Sequence, residues 1–108
     1  MTNAKKELLE LLEKFNVELE AAVISIDTGY GDESAKAGLN PNYKPYEHDS
    51  FMIRMDTNYS SGYGIQELYG VLWFTDGTWA TRWEYDGSEG WERHAKPDFN
   101  RMFNMYNI

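Results

Sequence analysis

A ten-residue pseudo-repeat, Trp73-Phe-Thr-Asp-Gly-Thr78 followed by Trp83-Glu-Tyr-Asp-Gly-Ser88, constrains this chain more than any other stretch. Asp-Gly between alternating aromatic runs is a strong hairpin signal, because the tightest turns need positive φ at both central residues. The runs Gln66–Thr75, Thr78–Tyr85 and Ser88–Ala95 therefore predict two successive hairpins, an antiparallel meander. A two-residue loop at Asp76-Gly77 sets Phe74 against Trp79, Leu72 against Thr81, Gly70 against Trp83 and Leu68 against Tyr85. That face is mostly apolar and is assigned to the core. The opposite face then carries Tyr69, Val71, Trp73, Arg82 and Glu84. A tight second turn adds Trp91 beside Arg82 and places Glu84 opposite Glu89, two like charges; a looser turn at Ser88 sends Trp91 to the core face instead.

The rest of the chain supplies a helix and further strands. Leu8, Leu11, Leu12 and Phe15 follow helical spacing, so Ala4–Phe15 predicts an amphipathic helix, started by Thr2 or Asn3 and ended by Asn16. Val17–Ile26 predicts a strand whose apolar parity changes near Ile24, through a bulge or through burial on both faces. Asp27–Asp49, rich in Gly and Pro, predicts a long connection, functional or mobile, and Phe51–Asp56 a second strand by its alternation. Phe99, Met102, Phe103 and Tyr106 predict a short helix over a sheet edge. The expectation is one α+β domain over residues 1–108: an N-terminal helix packed on an antiparallel sheet of about five strands, with a C-terminal meander.

Charge and composition narrow the function classes. The net charge is −8, with 18 acidic residues against 10 basic, which argues against direct contact with nucleic-acid phosphates. Acidity of this kind serves solubility or complements a basic protein surface. The absence of cysteine fits a reducing cytoplasm and excludes disulfides and thiolate metal sites. Neither an export signal nor a membrane span is visible in the pattern. Four Trp, eight Tyr and five Phe are more large rings than so small a core hides, so several are expected at the surface.

The residues with chemistry do not assemble into a reaction centre. His48 and His94 are far apart in sequence, and Glu47-His48-Asp49 is a solvated acidic loop before it is a metal or acid–base site. Asp27-Thr-Gly-Tyr-Gly-Asp32-Glu33 lacks the Lys and Ser or Thr of a phosphate loop and the oxygen ligands of a calcium loop. No serine sits in a nucleophile elbow. No catalytic residue, metal or cofactor is therefore assigned. What remains is a set of aromatic anchors with a charged rim, Tyr69, Trp73, Arg82, Glu84, Glu89 and Trp91, which is either the composition of a protein interface or a face covered by the long connection and the C-terminal turn.

The block Trp73 to Pro97, about a quarter of the chain, resembles a motif of small accessory proteins of tailed bacteriophages. The resemblance implies an acidic, cytoplasmic, non-enzymatic protein acting in an infected bacterial host. Several such proteins inhibit CRISPR effectors or restriction enzymes. The leading expectation is an inhibitor that docks on a basic host nucleic-acid-processing protein. Its rivals are a carbohydrate- or ligand-binding module that stacks on the Trp and Tyr face, and a small enzyme using the Asp27–Asp49 segment.

Overall fold

The computed structural model describes residues 1–27, 35–60 and 65–106. In chain order the elements are β1 (Thr2–Asn3), α1 (Ala4–Phe15), β2 (Leu19–Ile26), β3 (Ala35–Leu39), α2 (Pro45–Met55), β4 (Asn58–Tyr59), β5 (Leu68–Phe74), β6 (Trp79–Tyr85), β7 (Ser88–His94) and α3 (Phe99–Met105). The main sheet has the order β3-β2-β5-β6-β7, antiparallel at every pairing, and β1 pairs with β4 in a separate ribbon. This is the expected α+β architecture of an N-terminal helix, a five-stranded sheet and a C-terminal meander.

One face of the sheet carries the core. Leu8 of α1 and Phe51, Met52 and Met55 of α2 are buried with Leu19, Ile24, Ile26, Leu39, Leu68, Leu72, Phe74 and Ala80. The start of α1 is fixed by the Asn3 side chain, which accepts from Lys6 N at 3.0 Å. Its end is fixed by Asn16 in the left-handed conformation, φ 51°. In β2 the register shifts between Leu19 and Ala21, so a bulge causes the change of parity. Beyond it Ala22, Ile24 and Ile26 face the core, while Val23 faces away.

Two expectations for the middle of the chain are corrected. The Asp27–Asp49 segment is not a structureless connection: it holds β3 and the start of α2, while residues 28–34 lie outside the described residues. Phe51–Asp56 is not a strand but the second half of α2. Phe51, Met52 and Met55 share a helical stripe, whereas Ile53, which completes the apparent alternation, points to solvent. Pro45 opens the helix, and Glu47 Oε1 accepts from Lys44 N at 3.0 Å. The connection before α2 is held by Tyr43, whose hydroxyl donates to Leu19 O at 2.8 Å.

The meander forms with one correction of register. The second turn is the tight one: Asp86 and Gly87 both have positive φ, 51° and 86°, and Tyr85 pairs with Ser88. The first loop has three residues, because Trp73 pairs with Trp79 and Leu72 with Ala80. Gly77 N donates to Phe74 O at 3.1 Å and Gly77 has φ 86°, a type I turn closed by a left-handed glycine. One extra residue in the loop exchanges the two faces of β6. Ala80 and Arg82 therefore face the helices, and Trp79, Trp83 and Tyr85 face the other way. Gly70 makes room for Ile24 rather than for Trp83. The Trp83 ring instead lies over Gly90, where a Cβ would stand 2.9 Å from Trp83 Cζ2.

The C-terminal segment forms α3, started by Asp98 Oδ1 accepting from Arg101 N at 2.9 Å. It does not cover a sheet edge as expected: none of its residues is buried.

Two glycine substitutions test this geometry. Gly77→Val should cost about 1 kcal/mol, since the site has space but a β-branched residue resists positive φ. Gly70→Ala should cost about 1–3 kcal/mol, because its Cβ would run into the Val23 carbonyl oxygen. Urea denaturation midpoints should fall in the order wild type, Gly77→Val, Gly70→Ala.

Candidate functional site

The sheet face turned away from the helices carries a group of exposed and half-exposed aromatic rings. β5 contributes Tyr69, Val71 and Trp73; β6 contributes Trp79, Thr81, Trp83 and Tyr85; β2 contributes Val23. These positions alternate with core residues along each strand, so the backbone holds the rings on a rigid surface. Tyr69 is 46% exposed, and Trp73 and Trp83 are each 41% exposed. Trp79 is more covered, because it stacks on His94 with centroids 5.7 Å apart, and His94 Nε2 lies 2.7 Å from Thr81 Oγ1. Beside Trp73 runs an open groove of about 440 Å³ lined by Glu20, Val23, Leu39, Asn40 and Pro41. Glu20, Glu84, Asp86 and Glu92 are exposed acids on or at the margins of the sheet.

The residues expected at the interface are divided by the structure. Tyr69 and Trp73 stand on the open face. Glu84 shares the strand parity of Arg82 and not of Trp83, which corrects the face assigned to it; it is exposed near the second turn, where its Oε1 accepts from Gly87 N at 3.0 Å. Arg82, Glu89 and Trp91 belong to the opposite, helix-covered side, which corrects the face assigned to Arg82 and settles that of Trp91. Trp83 and Tyr85 were assigned to the core and are surface rings. The signal that would have placed them is the length of the first loop.

The interior residues form a charge network. Arg82 Nη1 meets Glu7 Oε1 at 2.5 Å and Arg82 Nη2 meets Glu89 Oε1 at 2.6 Å. The Arg82 and Glu89 side chains are only 2% and 1% exposed. Tyr59 Oη donates to Glu7 Oε2 at 2.8 Å and accepts from Arg82 Nη2 at 3.1 Å. The Trp91 ring lies 4.8 Å from the guanidinium carbon, an arrangement that favours the cation. Glu89 also accepts from Glu67 N at 3.2 Å and from Leu68 N at 3.3 Å. The like charges of Glu84 and Glu89 are thus separated, one turned to the hairpin backbone and the other to Arg82. Burial opposes the charge on Arg82, but Glu7 and Glu89 outweigh it and hold its pKa above the ordinary value. Burial, with donation to Glu7, pushes the Tyr59 hydroxyl well above the ordinary tyrosine range, so at neutral pH it remains a donor.

The remaining titratable groups are scattered. His48 stacks on Tyr43 and lies 3.8 Å from Asp49, while Glu47 is engaged at the start of α2. Among the described residues no group of three or more His, Cys, Asp or Glu side chains is placed to hold a metal ion. Among them, too, no helix is long and apolar enough to cross a membrane. The glycine-rich stretch after Asp27 lies outside the described residues. No family model, curated protein or solved structure matches the chain.

Two measurements probe the network. Arg82→Leu leaves Glu7 and Glu89 without their counter-charge and should cost about 3–5 kcal/mol, read by thermal denaturation. The alkaline limb reports Tyr59. Its folded pKa is raised, so above about pH 10 the unfolded chain binds fewer protons than the folded one and stability falls as pH rises. The denaturation midpoint should therefore decline between about pH 9.5 and 11, and Tyr59→Phe should flatten that decline.

Proposed function

We propose that this chain is a non-catalytic binding protein that anchors the open aromatic sheet face on a basic protein surface, as an inhibitor of a nucleic-acid-processing or defence protein of a bacterial host. The observation that carries the reading is the group of half-exposed rings, Tyr69, Trp73 and Trp83, on rigid strands in a chain of net charge −8. Large rings held by strands lose little entropy on binding and are frequent energetic anchors. The exposed carboxylates of Glu20, Glu84 and Glu92 supply the steering field for a basic partner. The resemblance of Trp73 to Pro97 to phage accessory proteins supports the anti-CRISPR or anti-restriction setting. Such a protein needs no cofactor and works in the cytoplasm of the infected cell.

A second reading is favoured by the groove beside Trp73. An indole wall with Asn40 and Glu20 nearby suits a sugar ring that stacks and hydrogen-bonds. The two readings separate at Trp83, which lines the sheet face but not the groove.

Affinity capture from bacterial lysate supplies the partner, and surface binding kinetics at two salt concentrations test the interface. Trp73→Ala and Trp83→Ala should each cost about 2 kcal/mol of affinity, mainly through faster dissociation. Charge reversal at Glu84 or Glu92 should mainly slow association and weaken its dependence on salt. A neutral or acidic partner, bound indifferently to salt and to both tryptophans, would overturn the proposal. Quenching of tryptophan fluorescence by sugars, lost in Trp73→Ala and kept in Trp83→Ala, would establish the second reading.

A further inference from the structure

The chain carries a second unpartnered apolar surface. Phe99, Met102, Phe103 and Tyr106 lie along one side of α3, all exposed, with the Phe99 and Phe103 rings 5.6 Å apart and forming one surface. We propose that this helix docks on the open sheet face of a second copy of the chain, reciprocally, so that two copies exchange their C-terminal helices about a twofold axis. The inference does not depend on the identity of any other partner.

Three observations support a second copy as the occupant. The first is how the chain leaves the sheet. Lys96 precedes Pro97, which disfavours a helical conformation there, and Asp98 is extended, φ −71° and ψ 117°. None of the residues of α3 is buried, so the helix is not packed on its own sheet. The second is charge. The exit and helix have a positive balance, Lys96 and Arg101 against Asp98, in a chain that is otherwise strongly acidic. The open face and its margins carry the carboxylates of Glu20 and Glu92, so the helix of one copy complements the sheet of the other.

The third observation is area. Large rings contribute about 150–250 Å² each, so the exposed parts of the sheet rings and of the α3 stripe amount to about 800 Å² for one helix–sheet contact. Two symmetry-related contacts reach about 1,600 Å², the size of an ordinary stable interface, whereas either alone would be marginal. An exchange also closes, because each copy gives one helix and receives one. It covers two aromatic surfaces that a monomer would leave in water.

Sedimentation equilibrium of the full chain, from about 1 to 200 µM, tests the proposal in the micromolar range typical of modest interfaces. The expected result is a reversible equilibrium between the 12.6 kDa chain and twice that mass. The double variant Phe99→Ala with Phe103→Ala should raise the dissociation constant at least tenfold with unchanged circular dichroism in the strand region, since α3 buries none of its residues. Trp73→Ala should weaken the dimer similarly. A chain that stays monomeric throughout, including one whose helix covers its own sheet, would overturn the exchange. So would a dimer indifferent to the Phe substitutions or to Trp73→Ala.

Discussion

The buried guanidinium of Arg82 is the point on which the packing of this domain converges. It reaches α1 through Glu7, β4 through Tyr59 and β7 through Glu89, while its own backbone sits in β6. Glu89 in turn holds the amides of Glu67 and Leu68, where β5 begins. Replacing such a network by apolar side chains can be neutral, but removing one member strands the others. Its value therefore lies in specifying the arrangement of α1, the β1–β4 ribbon and the meander, more than in net stability. With the guanidinium fixed, only one face of β6 can turn toward the helices.

That constraint decides the surface. Residues alternate along a strand, so placing Arg82 inside places Trp83 outside, and the register carries the rings of Trp73 and Tyr69 onto the same side. The interior charge and the exterior aromatic face are two consequences of one register. The pattern is unusual, because the long cation is covered and the indole is left half in water. A core holding Trp83 in place of Arg82 would have been the simpler burial. The network compensates for that loss with four oriented groups around one cation: Glu7, Tyr59, Glu89 and Trp91.

Local signals made much of the fold legible. Asn3 and Asn16 bounded α1 to the residue, and two Asp-Gly pairs announced the meander. What failed was the distinction between two loops with the same dipeptide. Among the described non-glycine residues, Asp86 has positive φ and Asp76 does not. Asp76 instead accepts from Thr78 N and Thr78 Oγ1, at 2.9 and 2.6 Å, which keeps it in an ordinary conformation and lengthens the loop. These bonds also hold its carboxyl below the usual aspartate range. A single added residue then exchanged the faces of a whole strand, so Arg82 and Glu84 were expected where Trp83 and Tyr85 stand. The α2 error had another origin. Phe51 and Met55 are four apart, a spacing that strand alternation and helical periodicity share, and Ile53 tipped the balance wrongly.

Two kinds of occupant would compete for the same face, and charge ranks them. Two copies of a chain with net charge −8 repel at a distance, and the positive balance of α3 offsets that only at contact. Salt screens the long-range term over about 10 Å at 0.1 M, so self-association gains as ionic strength rises. Attraction to a basic surface weakens over the same range. At low salt the field therefore favours a basic partner over a second copy, and at high salt it favours the second copy. Because both occupants would use Trp73 and Trp83, they exclude one another, and an exchanged dimer would hold the aromatic rings covered until a more basic surface competes for them.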